Sequence, residues 1–482
     1  MSALPPPREV DVPVVDLARL RPLIGERRYH DLVAEASRTR AALRGCTVWN
    51  VNSTSAGGGV AEMLEVLVGY ILGVGVAVRW LVIAGDAQFF LVTKRIHNRL
   101  HGVPGDGGDL GERELATYRS VGTINAAAIV AQVRPADVVL LHDPQTAGLA
   151  AALKAAGAVV LWRCHVGTEV TNRWTQEAWD FLRPHLAACD GFVFTRREYV
   201  PAWVPNDRVW IIPPSIDPFS PKNQDLSEAG RVRILRAMGV LDGVAQGPAT
   251  FTRRDGSTGL VTRRASMVAE GPLDGAAPLV VQVSRWDRLK DMAGVMAGFA
   301  VRVVDHSDAQ LALVGPEAEE VSDDPEGREV LEQCIDAWSQ LSPAQRRRIR
   351  LVTIPMNDVD ENAAMVNALQ RHSTVIVQKS LAEGFGLTVA EGMWKGKAVV
   401  ASAVGGIVDQ VAPGTGILLD DPTDLDGFGN ELASLLSRRE DLVRFGANAR
   451  RHVLENFVGD KHLMAYGALM ERLKANRTAA TE

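Results

Sequence analysis

Short, almost unbroken apolar runs recur along the chain, and each gives way to a stretch with helical spacing. CTVWNVN (46–52) leads through a Gly-rich turn into VAEMLEVLVGYI; VRWLVIAG, DVVLLHD, AVVLWRCH, GFVFT and RVWIIPP follow. Runs that are apolar at nearly every position suit parallel strands buried on both faces. Their alternation with helices predicts a doubly wound α/β sheet. After Pro213–Pro214 the rhythm stops at SIDPFSPKNQDLS, a polar stretch that reads as an interdomain linker. A second α/β series starts at PLVVQVS (278–284) and continues with AQLALVG, RIRLVTI, STVIVQKS, KAVVAS and GILLD. From about Asp421 to Asn476 the period is helical. Two Rossmann-like domains are therefore expected, over 1–213 and 214–455.

Residues 240–275 break the second series. ATFTRRDGSTGLVTRRA reads as two short strands around a DGSTG turn, made basic by Arg253, Arg254, Arg263 and Arg264. A solvated insertion is the plain reading, and a contact between two copies in a homodimer is the alternative. The uncharged stretch between Glu65 and Arg79 is shorter than the roughly 18 apolar residues of a membrane span. It reads as a helix end, a turn at Gly73 and Gly75, and a strand. The N-terminus has no apolar leader pattern, so no membrane partner is expected.

Composition narrows the function classes. A length of 482 residues sets two or three domains, and a net charge of -6 lacks the basic excess of a general nucleic-acid binder. Cys46, Cys164, Cys189 and Cys334 form no C-x-x-C pair. They read as free thiols in a reducing cytoplasm and offer no zinc site.

Three segments carry candidate chemistry. In NSTSAGGGVAEML (52–64), Gly57 and Gly58 join a strand end to a helix start, where backbone N–H groups can approach an anion. A tight turn explains the same glycines equally well. VSRWDRLKD (283–291) puts Arg285 and Lys290 just past a strand's carboxyl end, where open α/β sheets bind ligands and where two cations suit a diphosphate, although a solvated basic loop with Arg288 as one more surface charge explains them equally well. The most specific segment is LAEGFGLTVAEGMWKGKAVVASAVGG (381–406). Glu383 precedes Gly384, Phe385 and Gly386 at a helix start, and Glu391 follows within the helix. Carboxylates suit sugar or ribose hydroxyls, and the amides of Gly386, Leu387 and Thr388 suit phosphate oxygens. Favourable charge at a helix N-terminus accounts for the glutamates alone, but not for glycines on both sides of Phe385 or the turn at Gly405–Gly406.

E-G-F-G-L-x-x-x-E, preceded by S-R-x-x-x-x-K-D, resembles the donor site of retaining GT-B glycosyltransferases of family four. The longer strings HDPQ (142–145), WRCH (162–165), IIPPSIDPFSPKNQDLS (211–227) and LVGPEAEEVSDDPEG (313–327) are similar to trehalose glycosyltransferring synthases and trehalose phosphorylases. The resemblance implies two Rossmann-like domains facing a cleft, with a C-terminal helix (456–482) crossing back to the first. It implies that Glu383 contacts the transferred sugar, Glu391 holds the ribose, and Arg285 and Lys290 neutralise the leaving diphosphate. It puts His165 beside the reacting anomeric centre.

In the first half, Lys94, His97, Asn98 and His101 share one helical face, and His142, Asp143 and His165 lie at strand ends. Each alone reads as a solvated or capping residue. Together they read as a sugar-acceptor pocket, with Asn98, Asp143 and His165 lining it. The family implies front-face transfer with retention, no metal and no cofactor beyond the nucleotide-sugar substrate. UDP- or ADP-glucose as donor and glucose as acceptor, giving trehalose, is the expected reaction. Trehalose phosphorolysis, another small acceptor, an NDP-sugar epimerase and a non-catalytic sensor are the alternatives. WRCH runs on into Val166, Gly167 and Thr168 where the family has Ile-Asp, which leaves the acceptor open. TIPMNDVD (353–360) is a candidate wall for the nucleobase.

Overall fold

The computed structural model describes residues 4–55, 59–317 and 326–481. The chain forms two compact units: Met1–Ser215 with Val458–Glu482, and Ile216–Phe457.

The first unit is built on strands β1 (Arg8–Glu9), β2 (Val48–Asn52), β3 (Val78–Val82), β4 (Val138–His142), β5 (Val159–Cys164), β6 (Gly191–Phe194) and β7 (Val209–Ile211). Their order is β1-β3-β2-β4-β5-β6-β7. All neighbours are parallel except β1, which runs antiparallel to β3. The five residues of β2, and likewise of β4, are all buried, as helices on both faces of the sheet require. The stretch between Glu65 and Arg79 forms the end of the helix Gly59–Gly73 and the start of β3. A side chain at Gly73 would meet the Val15 carbonyl oxygen at 2.0 Å, so this glycine lets the incoming chain cross the helix. Among the described residues no helix is long and apolar enough to cross a membrane.

The helix Gly459–Thr481 belongs to the first unit. Its Tyr466, Leu469, Met470 and Leu473 enter the core beside Leu64, Leu67 and Trp80, and it packs on the helix Arg21–Ala42.

The second unit holds β8 (Thr250–Thr252), β9 (Thr258–Leu260), β10 (Ser266–Val268), β11 (Leu279–Val283), β12 (Gln310–Pro316), β13 (Ile349–Ile354), β14 (Val375–Gln378), β15 (Ala398–Ser402) and β16 (Gly416–Leu419). Its main sheet has the order β10-β13-β12-β11-β14-β15-β16, with only β10 antiparallel. The edge strands β1 and β10 are too short and too exposed to carry the apolar run that marks the other strands. In both sheets the winding reverses once, between β2 and β4 in the first and between β11 and β14 in the second. Ligands of open α/β sheets bind outside the carboxyl ends of the strands at such reversals.

The boundary between the two units falls within the polar stretch, between Ser215 and Ile216, and from Ile216 onward the stretch is packed on the second unit. Ile216 N–H donates to the Phe457 carbonyl (2.9 Å), and buried Asn223 accepts from Trp394 Nε1 (3.1 Å) and Lys395 Nζ (2.9 Å). The hairpin β8–β9 is exposed at most of its positions, as a solvated insertion should be, but its arginines are paired. Arg253 binds both oxygens of Asp358 (3.0 and 2.6 Å), Arg254 pairs with Asp360 and Arg263 with Glu361. Glu361, 2 % exposed at its side chain, also accepts the N–H groups of Thr262 (2.5 Å) and Arg263 (2.7 Å). The arginines are thus spent on the acidic first turn of the helix Val359–His372.

Candidate active site

The reversal in the second unit brings the ends of β11 and β14 together. Lys290 lies in the short turn Arg288–Lys290 after β11, and Glu383 in the loop after β14. Lys290 Nζ donates to Glu383 Oε2 at 2.6 Å. Ser380 Oγ donates to the same oxygen at 3.3 Å. Arg285 stands one turn earlier, 3.8 Å from Asp287 and part-buried.

Glu383 can approach the following helix because residue 386 has no side chain. Gly386 adopts φ 83 as the cap of the helix Leu387–Trp394. A Cβ there would press on Glu383 Cγ at 3.2 Å and Ile407 at 3.1 Å. Gly406 is needed equally, since its Cβ would meet Phe385 Cα at 2.8 Å and the Gly384 oxygen at 2.9 Å. The two Gly-rich turns therefore pack on each other, and Gly406 N–H donates to the Gly384 carbonyl (3.2 Å). Leu387 and Thr388 begin the helix, with Thr388 Oγ1 donating to Gln378 Oε1 (2.9 Å). Phe385 turns inward against Phe457, ring centroids 5.6 Å apart. Glu391 is 2 % exposed and pairs with Lys222 at 3.2 Å. Chemically, this half offers a carboxylate that can accept hydroxyls and cations that can stabilise a phosphate charge.

In the first unit, Asp143 follows β4 directly and adopts φ 63, a conformation rare outside glycine. Its Oδ1 accepts the His165 N–H at 2.8 Å. Burial pushes its carboxyl up to about 7, against the pull of the His165 amide and Arg163. His142, at the end of β4, stacks on His165 with planes 12° apart, and His142 Nδ1 is 3.0 Å from His165 Nε2. His142 Nε2 lies 3.1 Å from Asn50 Oδ1 on β2. Arg163, fully buried on β5, donates from Nε to His165 Nε2 (3.1 Å) and from its terminal nitrogen to the Ile212 carbonyl (2.8 Å). Burial and the Arg163 charge push His142 down to about 3 and hold His165 well below the usual histidine range. Both rings are neutral at pH 7. Around the Arg163 guanidinium, this half therefore sets neutral imidazoles that can recognise hydroxyls, with a carboxyl that ionises near neutrality.

The structure brings Asp143 and His165 together. Asn98 lies on the helix Ala87–Leu100, 6 % exposed, with its Oδ1 3.3 Å from His97 Nδ1. That helix packs beside the turn Asp143–Thr146, and His101 Nδ1 lies 3.1 Å from the Gly167 carbonyl. Gly57 and Gly58 lie outside the described residues. Sequence reading passed over Asn50, Arg163, Lys222 and Lys379 as site residues. Three of them carried a signal, a polar residue inside or ending an otherwise apolar strand, where burial demands a partner. Lys222, in a polar stretch, carried none.

Residues 50–201 match the family "Trehalose synthase, N-terminal domain", and residues 265–452 match "Glycosyl transferases group 1". The chain is 34% identical to a trehalose synthase of Rubrobacter xylanophilus, over 92% of this chain and 93% of that protein. It is 25% identical to a trehalose phosphorylase of Pleurotus pulmonarius, over 96% of this chain and 62% of that one. Among solved structures it resembles a UDP-forming α,α-trehalose-phosphate synthase of Burkholderia xenovorans, with TM-score 0.62 and 15% identity, covering 89% of this chain and 99% of that one. The two parallel α/β sheets, the two family matches and 34% identity over 92% of the chain agree: the chain belongs to the trehalose synthase family of GT-B glycosyltransferases.

Proposed function

We propose that this hexosyltransferase moves glucose from UDP- or ADP-glucose to glucose, with retention, to give α,α-trehalose. The observation that carries the reading is the Lys290–Glu383 pair at the winding reversal of the second unit. Lys290 and Arg285 neutralise the departing diphosphate, the role a metal ion has in other transferases. Glu383 accepts a hydroxyl of the glucose being transferred. The amides of Leu387 and Thr388 add partial positive charge for phosphate oxygens. Glu391 takes the ribose hydroxyls. In the first unit Asp143, with His165 beside it, receives the acceptor. The leaving phosphate itself takes the acceptor proton, so the side chains need only orient the reactants and stabilise charge.

Product analysis tests this. The protein is incubated with UDP-, ADP- or GDP-glucose or with glucose 1-phosphate, and with glucose, glucose 6-phosphate, glycerate or mannose, with and without phosphate, and the products are identified by NMR. Trehalose from glucose without added phosphate is expected. Trehalose formed only from glucose 1-phosphate would make the protein a phosphorylase. Rapid reaction of another acceptor, with glucose ignored, would overturn the trehalose assignment and leave nucleotide-sugar transfer standing.

A further inference from the structure

Beneath the Lys290–Glu383 pair lies a second, buried charge that the reaction does not use. Lys379 follows β14 and is 0 % exposed, so it touches no substrate. Its ammonium is ion-paired with Asp291. Asp291 is the residue after Lys290, and it stands in the left-handed region at φ 46. Its Oδ1 also accepts the Gly294 N–H (3.1 Å), capping the helix Met292–Arg302. Gln282, also 0 % exposed, joins the same residues from below. Its Oε1 accepts the Lys379 N–H (3.0 Å) and its Nε2 donates to the Lys290 carbonyl (2.7 Å). Leu381 N–H donates to the Leu289 carbonyl (2.7 Å).

A buried ammonium is costly unless paired, and a left-handed aspartate is strained. Both costs fall on the one turn that presents Lys290. In return, the turn after β11 and the loop after β14 are tied together through side chain and backbone at once. The ε-ammonium of a lysine sits on a flexible stem, so its placement depends on a fixed backbone.

We propose that Lys379, acting through Asp291, and Gln282 are positioning residues that hold the 288–291 turn so that the Lys290 ammonium stays at Glu383. The inference rests on the reading of Lys290 as the cation of the leaving diphosphate. Lys379 and Gln282 touch no reacting atom; they set where one of them is met.

The test is a double-mutant cycle on the full chain. Lys379→Met, Lys290→Met and the combination are compared in kcat, donor KM and acceptor KM. Asp291→Asn, which keeps the left-handed conformation and the helix cap but leaves the Lys379 ammonium unpaired, is made in parallel, and the Lys379→Met/Asp291→Asn combination, which buries no lone charge, is the variant that retains the fold if the single variants do not. Lys379→Met and Asp291→Asn should each lower kcat about 10-fold or more and leave acceptor KM unchanged. Lys379→Met should cost almost nothing further once Lys290 is Met, because residues acting as a unit are not additive. Wild-type kcat in Asp291→Asn, or losses that multiply in the Lys379→Met/Lys290→Met variant, would overturn the positioning role while the donor-site reading stands. Wild-type kcat in Lys290→Met would overturn the donor-site reading and this inference with it.

Discussion

Lys290 and Glu383 lie in the loops after β11 and β14, strands that are neighbours in the sheet, and although the two residues are 93 positions apart in the chain their side chains meet at 2.6 Å. The proximity follows from topology: β11 and β14 flank the reversal, so their carboxyl-end loops converge. Replacing Lys290 with Ala, or Arg285 with Ala, should lower turnover by about 10²–10³-fold, the usual cost of losing one charge-stabilising group. Steady-state kinetics with saturating donor is the measurement, and near-wild-type turnover would remove the diphosphate role.

The two glutamates of the second unit should separate kinetically. Glu383→Ala should mainly lower kcat, since the transferred sugar changes in the transition state. Glu391→Ala should mainly raise donor KM, since the ribose does not change. Glu391→Ala should also lower Tm, because it leaves the part-buried Lys222 ammonium without its carboxylate. Glu391→Gln keeps the volume and should show the smaller Tm loss. The reverse partition between kcat and KM would exchange the two roles.

Asp143 should make stability fall as pH rises. Its folded value of about 7 lies above the ordinary carboxyl value of 3.8, so the folded state holds a proton that the unfolded state has lost. The stabilising contribution is complete below pH 3.8 and disappears as pH passes 7. Asn mimics the protonated acid. The Asp143→Asn variant should therefore gain in Tm relative to wild type between pH 5 and pH 8, by about 3 °C or more. A Tm difference that does not change with pH would show that the carboxyl is ionised throughout. His142 has the opposite sign: its contribution is present above pH 6.5 and is lost as pH falls through about 3.

The basic hairpin should be released by one substitution. Glu361 accepts two backbone N–H groups of the hairpin and pairs with Arg263. Glu361→Ala leaves those part-buried donors without their acceptor and removes the Arg263 pair at the same time. Limited trypsin digestion should cut the variant at Arg253, Arg254, Arg263 or Arg264 while the wild type stays intact. Equal resistance in both would show that packing around Phe251, not the carboxylate, holds the hairpin.

The parallel strands of both sheets were legible because an apolar run in a doubly covered sheet leaves a signature independent of its partners. The edge strands β1 and β10 carry no such signature, since one ladder of hydrogen bonds and exposed side chains fix them. At the site, Gly386 and Gly406 were readable because each is forced by a contact that a Cβ would break. The Asn50–His142–His165 chain was not, because it joins three strands through side chains far apart in sequence. The partners of the hairpin arginines were not legible for a related reason: the carboxylates lie about a hundred positions away, and local composition showed only positive charge.

The helix Gly459–Thr481 bears on the order in which the protein can be made. Tyr466, Leu469, Met470 and Leu473 belong to the core of the first unit, so that core lacks one wall until the ribosome has passed residue 473. The second unit lies between and can complete itself first. At about 5–20 residues per second, the first sheet waits on the order of ten seconds or more after its last strand is made. Through that interval the apolar face around Leu64, Leu67 and Trp80 is unprotected in the nascent chain. Holding chaperones should therefore bind the emerging protein at its N-terminal third, and yield in a chaperone-poor translation system should depend on this delay more than on the stability of the finished fold.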